Sequence, residues 1–293
     1  MKIAVFGNRN QSEKVSQLER LFLLLKKHNA RLFLDADFYE YLSSTLDIHP
    51  EVEGLIDSSD FYADIALSVG GDGTFLRTAQ RIGSKSIPIL GINTGHLGFL
   101  ADITPLDMES TLVELFKNYY RVEERSLLTL SASPCLCCED YSALNEISIS
   151  KREQSSLIQL NAYVDGEFLT TYRADGLIIS TPTGSTAYSM SVGGPLLMPS
   201  SPSLILSPIA SHTLNVRPLV ISDQSEIEIR VEGRESNFLV SLDGRSFTFD
   251  KSTKLTIRKA DYSIKVIKRH NHNFFETLRN KLHWGGAIGE AVN

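Results

Sequence analysis

The stretch Ser68 to Ala79, SVGGDGTFLRTA, sets three glycines and one carboxylate at the end of an apolar run. Glycine tolerates positive φ and lets main chain approach another group closely. Gly70, Gly71 and Gly73 can therefore shape a loop whose N–H groups face phosphate oxygens. An acid inside such a cradle repels phosphate unless it has a task. Asp72 could take the proton of an attacking hydroxyl, or hold a metal ion that bridges phosphates. The alternative is a turn residue capping a helix from Thr74. Neither GxxxxGK[ST] nor GxGxxG stands here, so the loop carries neither the P-loop nor the Rossmann fingerprint.

Two further segments carry polar groups on flexible backbone. In GINTGHLGFLAD, Gly91 to Asp102, Asn93 and Thr94 offer hydrogen bonds. Phe99 offers a face that could stack on a base or cover the sheet, and the lone His96 reads as a residue that orients the loop. In RADGLIISTPTGSTAYSMSVGGP, Arg173 to Pro195, a strand GLIIST runs into small polar residues whose hydroxyls and N–H groups suit a polar ligand or ordinary local capping. Asp175 precedes that strand, and Asn145–Glu146 open another in SALNEISIS. Asn and Glu suit ribose hydroxyls, and a carboxylate pair separates hydroxyl from phosphate by repulsion. Cys135, Cys137 and Cys138 crowd into PCLCCED, but no second cluster completes a four-ligand metal set, and they read as reduced thiols.

The elements that must position these residues change character near residue 120. Before it, strand-like KIAVF, Arg31 to Leu34, Asp64 to Val69 and Ile87 to Ile92 alternate with helix-like runs. Those runs are Val15 to Leu25, Thr74 to Arg81 and Asp107 to Tyr119, which together give the rhythm of a βαβ sheet. Beyond Arg121, segments such as LIQLNAYVDG, SEIEIRVEG and NFLVSLDG alternate in period two and end in Gly, Asp or Asn turns, as antiparallel strands do. NHNFFETLRNKLHWG returns to helical spacing. The expected fold is an α/β N-terminal domain with a Rossmann-like open sheet, then an all-β, sandwich-like domain, with the C-terminal helix returning to the first. The expected boundaries are 1–121, 122–267 and 268–293.

The bulk properties fit a soluble globular protein of about two domains at roughly 150 residues each: 293 residues, 42% hydrophobic. A net charge of −6 with dispersed Lys and Arg lacks a nucleic-acid footprint. No window holds 18 consecutive apolar residues and the N-terminus turns polar early, so a cytoplasmic protein without membrane partners is expected.

GGDGT at 70–74, NTGHLGFL at 93–100, Asn145–Glu146, DGLIISTPTGSTAYSMSVGGP at 175–195 and PIASHTLNVRPLV at 208–220 together resemble the NAD kinase family in order and spacing, over most of the chain. The resemblance implies a cleft site and phosphoryl transfer from ATP, another nucleoside triphosphate or polyphosphate to the 2′-hydroxyl of NAD's adenosine ribose. It implies Asp72 as general base, with Gly73 beside it. Asn145 and Glu146 would hold ribose and diphosphate-side groups, Asp175 the nicotinamide half, and Phe99 the adenine. Thr186, Ala187, Tyr188, Ser189, Met190 and Ser191 would line the NAD site, Ala210 would approach the ligand, and Arg77 and Arg173 would pair with phosphate. A divalent ion, Mg²⁺, would be held mainly by substrate phosphates, and a homodimer or homotetramer is implied by analogy. Leu100, Ser211 and Gly244–Arg245 depart from the family pattern. A lipid kinase of the diacylglycerol or sphingosine type and a non-catalytic NAD sensor are the alternatives.

Overall fold

The computed structural model describes residues 1–9, 12–95, 98–134, 141–152, 158–233 and 236–283. His96 and the three cysteines lie outside the described residues. The chain divides into two compact units, Met1–Glu124 with the segment from Ile264 onward, and Arg125–Ser263.

The first unit is built on five parallel strands, β1 (Lys2–Gly7), β2 (Arg31–Asp35), β3 (Gly54–Ile56), β4 (Ile65–Val69) and β5 (Ile89–Ile92), in the order β5-β4-β1-β2-β3. Their side chains are nearly all apolar, as strands covered on both faces require. Helices α1 (Val15–Lys27), α2 (Ala36–Thr45), α3 (Asp72–Ile82) and α4 (Met108–Phe116) complete the α/β pattern. Leu18, Leu21, Phe22 and Leu25 of α1 and Leu112 and Leu115 of α4 join Ile3, Val5, Leu67 and Leu90 in one core.

The second unit holds two antiparallel sheets. Strands β6 (Arg121–Ser133), β7 (Ser142–Ala143), β8 (Glu146–Lys151), β9 (Ile158–Val164), β10 (Glu167–Ala174), β11 (Gly176–Ser180), β12 (Ser203–Ile209), β13 (Leu219–Ser222), β14 (Ile227–Glu232), β15 (Asn237–Leu242), β16 (Arg245–Asp250) and β17 (Lys254–Lys268) build them. One sheet runs β10-β9-β14-β17 and the other β13-β12-β11-β8-β15-β16. Ile147, Leu177, Leu206 and Val240 from one and Leu160, Ile229 and Leu255 from the other share a core, the inward half of the period-two alternation. The unit is a sandwich, but not purely β: Thr183–Thr186 and Tyr188–Ser191 each make a single helical turn. The end of β17 leaves this unit to pair in parallel with β5 at Val266 and Ile89, and helix α5 (Phe274–Leu282) follows in the first unit.

Candidate active site

In the first unit β4 and β5 are adjacent and parallel, with Val69 beside Ile92. The loops that follow them therefore leave the sheet together at its carboxyl edge, where open α/β sheets bind ligands. The Gly70 N–H reaches the Ile92 carbonyl at 2.9 Å, and Asp72 is the first residue of α3. Its carboxylate does not cap that helix. Oδ2 accepts the Phe99 N–H at 2.9 Å, and Oδ1 accepts those of Leu100 and Ala101, both at 3.0 Å. The acid thus fastens the second glycine-rich loop onto the first. Gly98 is required for this approach, because a Cβ there would collide with Asp72 Oδ1. Asn93, read as a ligand donor, is buried and spends its amide on Ala101 O and its Oδ1 on the Gly95 N–H.

Phe99 is half-buried, and what covers it comes from α5. The Phe274 ring centroid lies 6.5 Å away and the Lys281 ammonium sits 4.6 Å above the ring. The same ammonium lies 3.4 Å from Asp72 Oδ2. Gly73 is exposed. Arg77 is exposed one turn along α3, donates to Thr74 Oγ1 at 3.3 Å and lines a cavity of about 420 Å³ with Arg9, Asp35 and Arg81.

The start of α5 is tied to the end of the same loop. The buried Asp102 side chain accepts from Lys268 Nζ at 2.7 Å and pairs with His272 Nε2 at 2.8 Å. Burial works to raise the Asp102 carboxyl, yet Lys268 and His272 outweigh it and hold the group below its ordinary range.

In the second unit one end of a sheet gathers Asn145, Glu146 and the turn after β11. Ser180 pairs with Glu146 across the ladder, the Thr181 N–H reaches Asn145 O at 2.9 Å, and Thr181 Oγ1 reaches Leu144 O at 2.6 Å. Gly184 lies so close to Asn145 O that no side chain fits between them. The Tyr188 N–H donates to the Glu146 carboxyl, whose Oε2 is buried without a hydrogen-bond partner. Burial, then the neighbouring Asp243 carboxylate, push the Glu146 carboxyl up to about 7. Asp243 itself stands in the β15–β16 hairpin turn. Its Oδ2 accepts the Leu144 N–H at 2.6 Å, and its Oδ1 accepts those of Asn145 and Glu146 at 2.8 and 3.1 Å.

The hydroxyl-rich run divides by direction. Ser189 is buried against Ser207 Oγ at 3.1 Å, and Thr186 Oγ1 and Ser191 Oγ turn back on their own loop at Thr183 O and Tyr188 O. Ala187 and Met190 are half-buried, and Tyr188 is exposed. Arg173, Asp175 and Ala210 form a separate group. The Asp175 N–H reaches Ile209 O at 2.9 Å, the His212 N–H reaches Arg173 O at 3.0 Å, and Ala210 takes a positive φ of 45°. The carboxylate of Asp175 pairs with Lys151 at 2.6 Å. This group precedes β11 whereas Glu146 faces its last residue, a separation of roughly 17 Å at strand rise.

The chain is thus a two-unit protein, a parallel sheet with a glycine-framed acid at its carboxyl edge and a sandwich with a buried carboxyl at a hydroxyl-rich turn. The chain belongs to the ATP-NAD kinase family: it matches the N-terminal domain over residues 3–120 and the C-terminal domain over 144–269. It is 53% identical over 285 residues to an NAD kinase of Bacteroides fragilis, covering 97% of this chain and 98% of that one. It is 42% identical over 291 residues to an NAD kinase of Porphyromonas gingivalis, covering 98% and 99%. An Archaeoglobus fulgidus NAD kinase solved with ATP superposes at a TM-score of 0.76, with 29% identity and coverage of 97% and 99%. A yeast NADH kinase solved with NADH shares the fold at 0.88, with 21% identity and coverage of 100% and 89%.

Sequence reasoning missed Asp243 and Lys281. The first sits in an Asp-Gly pair that reads as hairpin-turn chemistry, and the second is one charge among several on an amphipathic helix.

Proposed function

We propose that this chain is an NAD kinase that transfers a phosphoryl group from a nucleoside triphosphate to the 2′-hydroxyl of NAD's adenosine ribose, giving NADP. The observation that carries this reading is the Asp72 carboxylate, fixed by three backbone N–H groups at the sheet's carboxyl edge in a chain that belongs to the ATP-NAD kinase family. A ribose hydroxyl is a weak nucleophile at neutral pH, and a carboxylate in hydrogen-bond reach takes its proton as the O–P bond forms. Asp72 is that base. Phe99 offers its ring to adenine, Gly73 leaves the loop open beside the base, and Arg77 faces phosphate from its cavity.

In the second unit Asn145 and Glu146 take ribose and diphosphate-side groups, and Thr186 to Ser191 supply main-chain contacts. The buried, partnerless Glu146 Oε2 is suited to a sugar hydroxyl. Asp175, Arg173 and Ala210 form the second contact region, at the nicotinamide half. Among the described residues no three carboxylates, imidazoles or thiols come together. A donor set with a single carboxylate at the loop fits a Mg²⁺ ion held chiefly by substrate phosphates, where it would neutralise charge on the transferred group. Among the described residues no helix is long and apolar enough to cross a membrane. A cytoplasmic homo-oligomer is part of the proposal by analogy with the family alone.

The test is product analysis with NAD, ATP and Mg²⁺. The expected product is NADP, its new phosphomonoester on the 2′-oxygen by phosphorus NMR. Phosphorylation of diacylglycerol or sphingosine instead, or NAD binding with no turnover under any donor, overturns the reading. A lipid acceptor is not favoured, because the match to NAD kinases runs through both units.

A further inference from the structure

A carboxylate has room for about four donors on its two oxygens. On Asp72 three are backbone N–H groups of residues 99 to 101, and the fourth is the Lys281 ammonium at 3.4 Å from Oδ2. If the base is to accept a proton, one donor must leave. The three N–H groups cannot do so without dismantling a loop that is packed against Asp72 at Gly98. Lys281 can. It stands on a flexible four-carbon stem, its side chain is 30% exposed, and its distance exceeds the roughly 2.8 Å usual for a charge-assisted bond. Lys268 in the same segment is the opposite case, 1% exposed and 2.7 Å from Asp102, a lysine sealed into structure.

We infer that Lys281 is a further catalytic residue: it closes the last acceptor site on Asp72 and passes to the oxygens of the transferred phosphoryl group when donor binds, which opens the base to the acceptor hydroxyl. The inference rests on the phosphotransfer reading above. Helix α5 is equipped for such a residue. It is anchored at its start by the Asn273 side chain, which accepts the Phe275 N–H at 2.9 Å, and by the Asp102–Lys268–His272 cluster just ahead of it. Phe274 and Lys281 both approach the Phe99 ring, at 6.5 Å between centroids and 4.6 Å from the ammonium. A cation released from Asp72 would be drawn to the negative charge of a phosphoryl group bound beside the base. In the step, the 2′-oxygen bonds to the terminal phosphorus and the bond to the bridging oxygen breaks. The hydroxyl proton goes to Asp72, the nucleoside diphosphate leaves with the bond's electron pair, and Lys281 follows the phosphoryl charge throughout.

The test is steady-state kinetics of Lys281→Met and Lys281→Arg in the full chain, with Arg279→Met as a control for loss of positive charge on an exposed turn of the same helix. Lys281→Met should lower kcat by about 10²-fold and weaken triphosphate binding while KM for NAD stays within about threefold. Lys281→Arg should recover much of kcat, and Arg279→Met should match the wild type. If Lys281→Met does not fold, Lys281→Gln carries the same expectation. A kcat within about threefold of wild type, a defect confined to KM for NAD, or an equal loss in Arg279→Met overturns the inference and leaves the kinase reading standing. A wild type that makes no NADP removes that reading, and this inference with it.

Discussion

Asp72 is held by hydrogen bonds that a turn residue does not need, and Glu146 by burial that an ordinary surface acid does not undergo. The Glu146 carboxyl moves from an ordinary value of 4.5 to about 7, chiefly through burial and then through Asp243. The folded chain therefore binds its proton more tightly than the unfolded chain between those values. The stability this group contributes is present below pH 4.5 and is lost as pH rises through about 7. Denaturant unfolding of Glu146→Gln beside the wild type checks this: the stability of the wild type relative to the variant should fall across that window and level off above it. Removing the second cause should act as well. Asp243→Asn should move the Glu146 titration toward lower pH, read from the pH dependence of KM for NAD. Asp243→Ala strands three backbone N–H groups and should cost about 2 kcal/mol, measured by the same unfolding experiment. At this scale GGDGT, Asn145–Glu146 and TPTGSTAYS were legible in the sequence because chemistry constrains their residue types locally. Asp243 and Lys281 act on residues 97 and 209 positions away, and no local pattern announces such a reach.

Elements were legible where apolar spacing is strong. Helix α1 presents five buried residues and β4 is buried throughout, so both stand out in the sequence. Helix α2 escaped because it buries only Phe38 and Leu42 among aromatic and hydroxyl residues of modest helix propensity; its start is set by the Asp35 side chain, which accepts the Phe38 N–H at 3.2 Å. The extent of α3 was also misjudged by its first two residues: Asp72 and Gly73 belong to the helix because Gly71 serves as its N-cap. The loop after β5 depends on one glycine. Gly98→Ala should displace the Asp72 carboxylate and depress turnover by about 10²-fold, approaching the loss on removing the base itself, in the NADP assay. The anchor of α5 behaves differently. Asp102→Asn leaves the Lys268 ammonium buried without its counter-charge and should destabilise the first unit by roughly 3–5 kcal/mol, seen as a lower unfolding midpoint.

At the scale of the whole chain, the change from alternating α and β to period-two strands near residue 120 marks a change in how apolar side chains are covered. Parallel strands with helices on their faces need continuous apolar runs, and sandwich strands need only one apolar face. The return of the C-terminal segment to the first unit brings a cation and an aromatic ring to the GGDG loop, although neither is near it in sequence. The proposed metal requirement belongs to this scale: among the described residues no three carboxylates, imidazoles or thiols come together. Chelation should abolish NADP formation and added Mg²⁺ should restore it, without a change in unfolding midpoint. The most direct measurement is turnover at saturating NAD, ATP and Mg²⁺ for the wild type beside Asp72→Asn. The expected result is a fall in kcat of roughly 10²–10⁴-fold with NAD still bound. A variant that forms NADP at the wild-type rate contradicts the assignment of Asp72 as the base.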